Sequence, residues 1–343
     1  MKREFAVAPE ETGQRLDRIV TAHCAELSRT RVQELIEAGL VLVDDRVAKK
    51  GSQHLHGGER IALDAESRPP VRAEAEAIPL DILYEDEDVI AVNKPAGMTV
   101  HAGAGNSHGT LVNALLGRGQ TLSQSTDLLR PGIVHRLDKG TSGVILVAKN
   151  DAAHAKLGEA FRKRAVKKTY IALVQGLLSN TSGRIDFAIS RDPIHRTRMA
   201  AVSKTRRGPE SRAAREARTD WRALARIDST TLVEVQLHTG RTHQIRVHFS
   251  ASKHPVVGDT LYGAATQLRT GVGRSAAREK IILPSLGRNF LHAARLGFAH
   301  PRTGEWLELR APLPAELRAF LRQLATAAGE DLRRIDASLA GYL

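Results

Sequence analysis

The sequence predicts an α+β protein built in two unequal parts, and three observations carry that prediction. Residues 13–63 read as two short amphipathic helices followed by a hairpin and a further strand. Residues 64–79 mix Ala, Glu, Pro and Arg without periodicity and read as a linker. Beyond residue 80, strand-like runs alternate with helical segments to about residue 326. At 343 residues the chain exceeds what one small core accommodates, and a hydrophobic share of 42% can fill a core in each part.

Residues 1–12 read as an extended lead-in. Leu16, Ile19 and Val20 then have helical spacing. A second helix is signalled by Ser28 as N-cap, by Val32, Leu35 and Ile36 on one face, and by Gly39 as the stop. Val41-Leu42-Val43, a turn at Asp44-Asp45-Arg46 and the strand Arg60 to Leu63 complete this module, whose second helix presents Arg29 and Arg31. After the linker, Asp81–Tyr84 and Val89–Val92 flank an acidic turn and form a hairpin. Thr110 is placed to cap the helix containing Leu111, Ala114 and Leu115. The apolar run Val144–Ala148 is a buried strand, 151–164 a helix, and Lys167–Val174 a strand with Tyr170 near its start. Thr231–Leu237 alternates as a half-buried strand. A helical reading from Thr242 puts Ile245 and Phe249 on one face with Arg246 beside them. Trp306–Leu309 reads as a strand, a helix begins near Pro314, and residues 327–343 are expected to be a loosely held C-terminal tail.

The formal net charge of +13 points to a polyanionic partner, most directly nucleic acid. No stretch approaches a transmembrane length and the N-terminus has no apolar signal core, so a soluble, cytosolic protein is expected. The single cysteine, Cys24, allows neither an internal disulfide nor a Cys-based zinc site, and its apolar helical context makes it a core residue. Between Arg191 and Arg218 the chain is strongly basic, with Arg196, Arg198, Lys204, Arg206, Arg207, Arg212 and Arg215. A solvated loop is the plain account of this excursion; on a chain with a nucleic-acid partner it is a natural phosphate clamp. The glycines at 103, 105 and 109 do not match a dinucleotide fingerprint. His238, His243 and His248 lack the spacing of a helical zinc pair, so no metal site is expected.

One segment stands apart: His135-Arg136-Leu137-Asp138-Lys139-Gly140-Thr141-Ser142-Gly143. It sets a carboxylate between cations in a turn that leads straight into a buried strand, a way to fix a reactive group at a sheet edge. On local grounds alone, a salt-bridged surface-loop residue is the better account of Asp138.

The distant segments decide between them. Residues 135–143, Lys167-Lys168-Thr169-Tyr170-Ile171-Ala172-Leu173-Val174, and Gly240-Arg241-Thr242-His243-Gln244-Ile245-Arg246-Val247-His248 resemble the motifs of the RluA-type pseudouridine synthases, with Asn93-Lys94-Pro95-Ala96-Gly97 similar to that family's first motif. The amino-terminal module resembles the S4 RNA-binding domain. The stretch from His101 to Asn106, with Gly109-Thr110-Leu111-Val112-Asn113, is similar to the RluD-like branch that modifies large-subunit ribosomal RNA.

The resemblance implies an S4-type domain followed by a catalytic domain with a mixed, mainly antiparallel sheet flanked by helices and loops. It implies isomerisation of uridine to pseudouridine in 23S rRNA without cofactor or metal, and a monomer is expected. It assigns Asp138 as the catalytic carboxylate, Arg246 as the cation that keeps it charged, and Tyr170 as the tyrosine that stacks on the uracil and helps with proton transfer, with Ile245 packing nearby. Arg136 matches the side chain that replaces the extruded base, assisted by His135, and Arg241 joins the substrate-binding set. Arg29 and Arg31 are the S4-like RNA contacts. A non-catalytic RNA-binding or ribosome-assembly factor would share the S4 module and the basic excursion, but would have no physical reason to keep Asp138, Tyr170 and Arg246 together. An RNA glycosylase would need a second acid, and no carboxylate adjoins Asp138 in sequence.

Overall fold

The computed structural model describes residues 2–64, 73–103, 107–123, 129–195, 197–202, 213–272, 279–282 and 286–343. Arg196, Lys204, Arg206, Arg207 and Arg212 of the basic excursion, residues 104–106 of the glycine-containing loop and residues 65–72 of the linker lie outside them. The chain divides into two compact units, Met1–Val71 and Arg72–Leu343.

In the first unit, β1 (Lys2–Ala6) is followed by α1 (Leu16–His23), α2 (Arg29–Glu37), β2 (Val41–Val43), β3 (Arg46–Val47) and β4 (Arg60–Asp64). The four strands form one sheet in the order β1-β4-β2-β3. The expected lead-in is therefore an edge strand: Lys2–Ala6 pairs antiparallel with Arg60–Asp64 along its whole length. Leu16, Ile19, Val20 and Cys24 meet Val32, Leu35 and Ile36 in a closed core. Ser28 caps α2 by accepting the Arg31 N–H at 3.2 Å, and Gly39 takes the left-handed conformation (φ 72°) that ends it. Asp17 is fully buried and is clamped by Arg15 at 2.8 Å and Arg29 at 2.9 Å. The two guanidinium groups, Arg15 foremost, hold its carboxyl down at about 2 against the opposing effect of burial.

The second unit is organised by a nine-stranded sheet. Its elements begin with β5 (Ile82–Glu85), β6 (Val89–Lys94), α3 (Leu111–Gly117), β7 (Ser142–Ala148), α4 (Asp151–Arg162) and β8 (Lys167–Gln175). They continue with β9 (Ser182–Ile185), β10 (Ala188–Arg191), β11 (Met199–Val202), β12 (Thr219–Ile227), β13 (Thr230–Leu237) and α5 (Gln244–Ala251). The last are β14 (Arg269–Val272), β15 (Glu279–Ile282), β16 (Leu291–Ala299), β17 (Trp306–Arg310), α6 (Ala315–Ala328) and α7 (Leu332–Ser338). The sheet runs β5-β6-β7-β16-β8-β13-β12-β9, with β17 also on β16; β10-β11 and β14-β15 are separate pairs. The β7–β16 contact is parallel and the other strand pairs are antiparallel.

Every residue of β7 is buried, which explains why Val144–Ala148 is continuously apolar rather than alternating. At its second position Gly143 has φ +113°, and a Cβ there would lie 2.2 Å from the Ala293 carbonyl oxygen of β16. Only glycine lets the two central strands approach at the point where the Asp138 loop enters the sheet. Thr110 caps α3, its hydroxyl accepting from the Asn113 N–H at 3.2 Å.

The C-terminal segment departs from expectation. Residues 327–343 are not a loose tail: α6 runs through Ala328, α7 follows it, and Ile335, Leu339 and Tyr342 are buried in the main core. Their apolar side chains are too few, and too interspersed with charge, to show helical periodicity in sequence; the core they complete supplies the driving force. Among the described residues no helix is long and apolar enough to cross a membrane.

Candidate active site

Asp138 sits in the loop before β7, where its carbonyl accepts the Thr141 N–H at 3.0 Å and closes the turn. The next residue is tied down as well. The Lys139 carbonyl accepts the Gly97 N–H at 2.8 Å. Lys94, fully buried, donates its ammonium to the carbonyls of Pro95 and Met98 at 2.8 Å each and approaches that of Lys139 at 3.5 Å. Burial, aided by Arg288 and opposed by Asp138, pushes this lysine down to about 7. The Asn93–Met98 turn thus braces the loop that carries the carboxylate.

The carboxylate meets its cation across the fold. Arg246, in the first turn of α5, donates from Nη1 to Asp138 Oδ2 at 3.1 Å. It is held more tightly by a second carboxylate, donating from Nε and Nη2 to Asp259 Oδ2 and Oδ1 at 2.6 and 2.9 Å. Burial acts to lower the Arg246 pKa, but Asp259 and Asp138 outweigh it and raise it above the ordinary guanidinium value. The Tyr262 ring lies 4.9 Å from the Arg246 guanidinium carbon, a cation–π contact. The Tyr262 hydroxyl also pairs with His243 Nδ1 at 2.7 Å, and His243 Nε2 comes within 3.9 Å of Asp138 Oδ1.

The start of α5 is fixed by Gln244, whose side-chain carbonyl accepts from Thr239 Oγ1 and the Arg241 N–H and whose amide donates to the Arg218 carbonyl and Thr219 Oγ1. His243 precedes it in a left-handed conformation, φ 56°. The three histidines of this region are separately engaged: His238 with Asp220, His243 with Tyr262, and His248 with Thr219 and the Phe187 carbonyl. Among the described residues the one cluster with metal-ligand geometry is Asp86, Asp88 and His300, where Asp88 already receives Arg302 at 2.8 Å.

Two cavities open on either side of Asp138. The first, about 470 Å³, is lined by Tyr170, Ile245, Thr141 and Leu291. The second, about 590 Å³, is bordered by His101, Lys139, Thr260 and Asn289. Arg136, exposed, belongs to the rim of both. Tyr170 is buried at the base of the first, and burial together with the Asp138 charge raises its phenol well above the ordinary range, so it stays protonated.

The structure therefore brings Asp138, Arg246, Tyr170, Ile245, Arg136, His135 and Arg241 around one cavity. His135 is held more firmly than its sequence position suggests: Nε2 accepts the Leu146 N–H at 2.9 Å and the ring stacks on Phe161 at 4.6 Å. Burial, with Lys168 as a lesser cause, pushes it down to about 3, so it is a neutral acceptor. Arg29 and Arg31 lie in the other unit. Arg29 is engaged by Asp17 rather than free on the helix surface, and Arg31 pairs with Glu34 at 3.1 Å.

Sequence reasoning missed Asp259 and Tyr262. Their signal was the turn Gly258-Asp259-Thr260-Leu261-Tyr262-Gly263, polar and glycine-bounded beside apolar Val256-Val257.

A charge-paired carboxylate and a buried tyrosine thus share one cavity of the second unit. The family model for RNA pseudouridylate synthase matches residues 88–251, and that for the S4 domain matches residues 14–61. The chain belongs to the RNA pseudouridine synthase family, whose members are isomerases. It is 45% identical over 323 residues to an uncharacterized RNA pseudouridine synthase of Chloroflexus aurantiacus, covering 94% of each chain. It is 42% identical over 322 residues to ribosomal large subunit pseudouridine synthase D of Nitrosomonas europaea, covering 94% of this chain and 87% of the relative. Among solved structures it is similar to human RNA pseudouridylate synthase domain containing 1, at a TM-score of 0.53 and 28% identity over 75% of this chain and 97% of the human one.

Proposed function

We propose that this enzyme isomerises specific uridines of 23S ribosomal RNA, with Asp138 as the catalytic carboxylate. The observation that carries the reading is the Asp138–Arg246–Asp259 arrangement at the mouth of a cavity with Tyr170 at its base. The reaction breaks the uracil N1–C1′ bond and joins C5 to C1′; C5 loses a proton, N1 gains one, and neither water nor an electron is consumed. It needs an ionised carboxylate with little solvent around it to act on the ribose. Arg246 donates to Asp138 at 3.1 Å, and because Asp259 holds the guanidinium from the other side, the cation is in place before substrate arrives.

Tyr170 supplies a flat, neutral surface for the extruded uracil and a proton-bearing hydroxyl at its edge, with Ile245 behind it. Arg136 fills the gap left in the RNA stack. His135 braces that segment against β7, and Arg241 contacts substrate at the cavity rim. Residues 13–63 form the RNA-binding module, with Arg29 and Arg31 at its RNA face, residues 64–79 the linker and residues 80–326 the catalytic domain. The enzyme acts as a cytoplasmic monomer, without cofactor or metal.

The test is Asp138→Asn. The variant should bind RNA as the wild type does and form no pseudouridine; turnover by the variant would sink the assignment. Chemical mapping of pseudouridine in total RNA from cells lacking the protein, with and without the wild-type chain restored, identifies the target. Loss confined to RNA other than 23S would overturn the substrate.

A further inference from the structure

The cavity lined by Tyr170 has a wall that the chemistry at Asp138 does not use. Arg164, Lys168 and Arg241 line it together. Among the described residues neither Arg164 nor Lys168 has a side-chain ion pair or hydrogen bond, and the Arg241 guanidinium donates only from Nε, to the Glu216 carbonyl at 3.0 Å. The three are near enough to repel one another. Burial, then Arg164, pushes Lys168 down to about 8, and burial, then Arg215 and Arg164, lowers Arg241. Like charges gathered at one cavity, where the lining carboxylate Asp138 is paired to Arg246 and Glu216 only partly offsets the effect on Arg241, oppose folding, and an incoming anion relieves that opposition.

Arg164 adds a backbone observation. It follows the C-terminus of α4 with φ 60°, in the left-handed region where glycine is the ordinary residue. An arginine there is unfavourable for the backbone and places a cation at the cavity.

Position gives the anion its identity. Lys168 stands two residues before Tyr170 on β8, so the two side chains share a face about 7 Å apart along the strand. That is the scale separating a nucleotide's base from its own backbone phosphate. With the uracil on Tyr170 and the ribose at Asp138, an adjoining phosphate falls on this wall.

We propose that Arg164, Lys168 and Arg241 form a phosphodiester subsite that grips a backbone phosphate next to the target uridine, with Lys168 as its inner ligand. The subsite rests on the reading of this cavity as the pseudouridine synthase site. It fixes the ribose against Asp138, and it confers no preference for the neighbouring base, because a phosphate carries no sequence information.

The experiment uses the full chain and a short synthetic RNA containing a mapped target uridine. Lys168→Met should raise KM roughly tenfold or more, the loss of one charge-assisted hydrogen bond, while kcat stays within about twofold. The slope of log affinity against log salt should become shallower by about 0.7–0.9, and Lys168→Arg should restore part of both. A methylphosphonate at the phosphate 5′ or 3′ of the target should weaken the wild type at one of those positions and add nothing to the loss in Lys168→Met. Arg164→Gly should raise KM while melting no lower than wild type, since glycine suits that backbone.

Equal methylphosphonate penalties in wild type and Lys168→Met, or an unchanged KM and salt slope in Lys168→Met, would overturn the subsite. Repeating the binding cycle in an Asp138→Asn background reads the subsite without turnover. Failure of the wild type to form pseudouridine would then count against the proposed function alone.

Discussion

Asp259 is the residue on which the arrangement of Arg246 depends, and its replacement separates the structural from the chemical carboxylate. Arg246 is 8% exposed and Asp259 3%, and they share two hydrogen bonds of 2.6 and 2.9 Å; Asp138 offers one bond, at 3.1 Å. Breaking a buried ion pair from one side costs about 3–5 kcal/mol, because the surviving charge remains desolvated. Asp138 retains part of that stabilisation, so Asp259→Asn should cost about 3 kcal/mol, which lowers the melting temperature of a unit this size by roughly 6–12 °C. Asp138→Asn leaves the two-bond pair intact and should cost about 1 kcal/mol or less. The chain's two tryptophans, Trp221 on β12 and Trp306 on β17, both lie in the catalytic unit, so their fluorescence during urea or thermal unfolding reports that unit alone. Turnover should fall on the order of tenfold or more in Asp259→Asn through misplacement of Arg246. If Asp259→Asn melts with the wild type, or if Asp138→Asn loses as much stability as Asp259→Asn, the division of labour is wrong.

Two further perturbations test the framework. Asp17 titrates at about 2 in the folded S4 module, below its unfolded value, so the unfolded chain binds more protons in that interval. Its stabilisation is fully present above about pH 4 and is lost as pH falls towards 2; discounted for the exposed arginines that supply it, the amount is about 1–2 kcal/mol. Acid titration of the module followed by circular dichroism should show this component in the wild type and not in Asp17→Asn. Gly143→Ala must place a methyl where the Ala293 carbonyl oxygen stands and should cost at least about 3 kcal/mol; a soluble variant with wild-type melting would show that β7 and β16 can separate without penalty.

What could be read in the sequence was local or carried by motif. Ser28 and Thr110 cap their helices with their own side chains, Gly39 ends α2 by its own conformation, and Val144–Ala148 is apolar at every position because both of its faces are covered. Such features depend on residues within a turn of each other, so their spacing survives in the linear pattern. The expectation that Asp138, Tyr170 and Arg246 act together rests on resemblance rather than on spacing, since each alone is an ordinary loop, strand or helix residue.

The tertiary structure decided the remainder. Asp259 meets Arg246 because the turn after α5 folds back under it, and nothing in the intervening residues 247–258 encodes that approach. Lys94 reaches the carbonyl of Lys139, Phe161 stacks on His135, and Tyr342 enters the core through contacts that close only when β16 runs beside β7. The sequence by itself determined the two-part organisation, the helix caps, the buried strand and the cationic character. The partners that hold Arg246, neutralise His135 and gather Lys168 with Arg164 were settled only by packing. Long-range pairing is chosen by the whole set of strands that must bury their faces at once, and one-dimensional spacing carries no record of that choice.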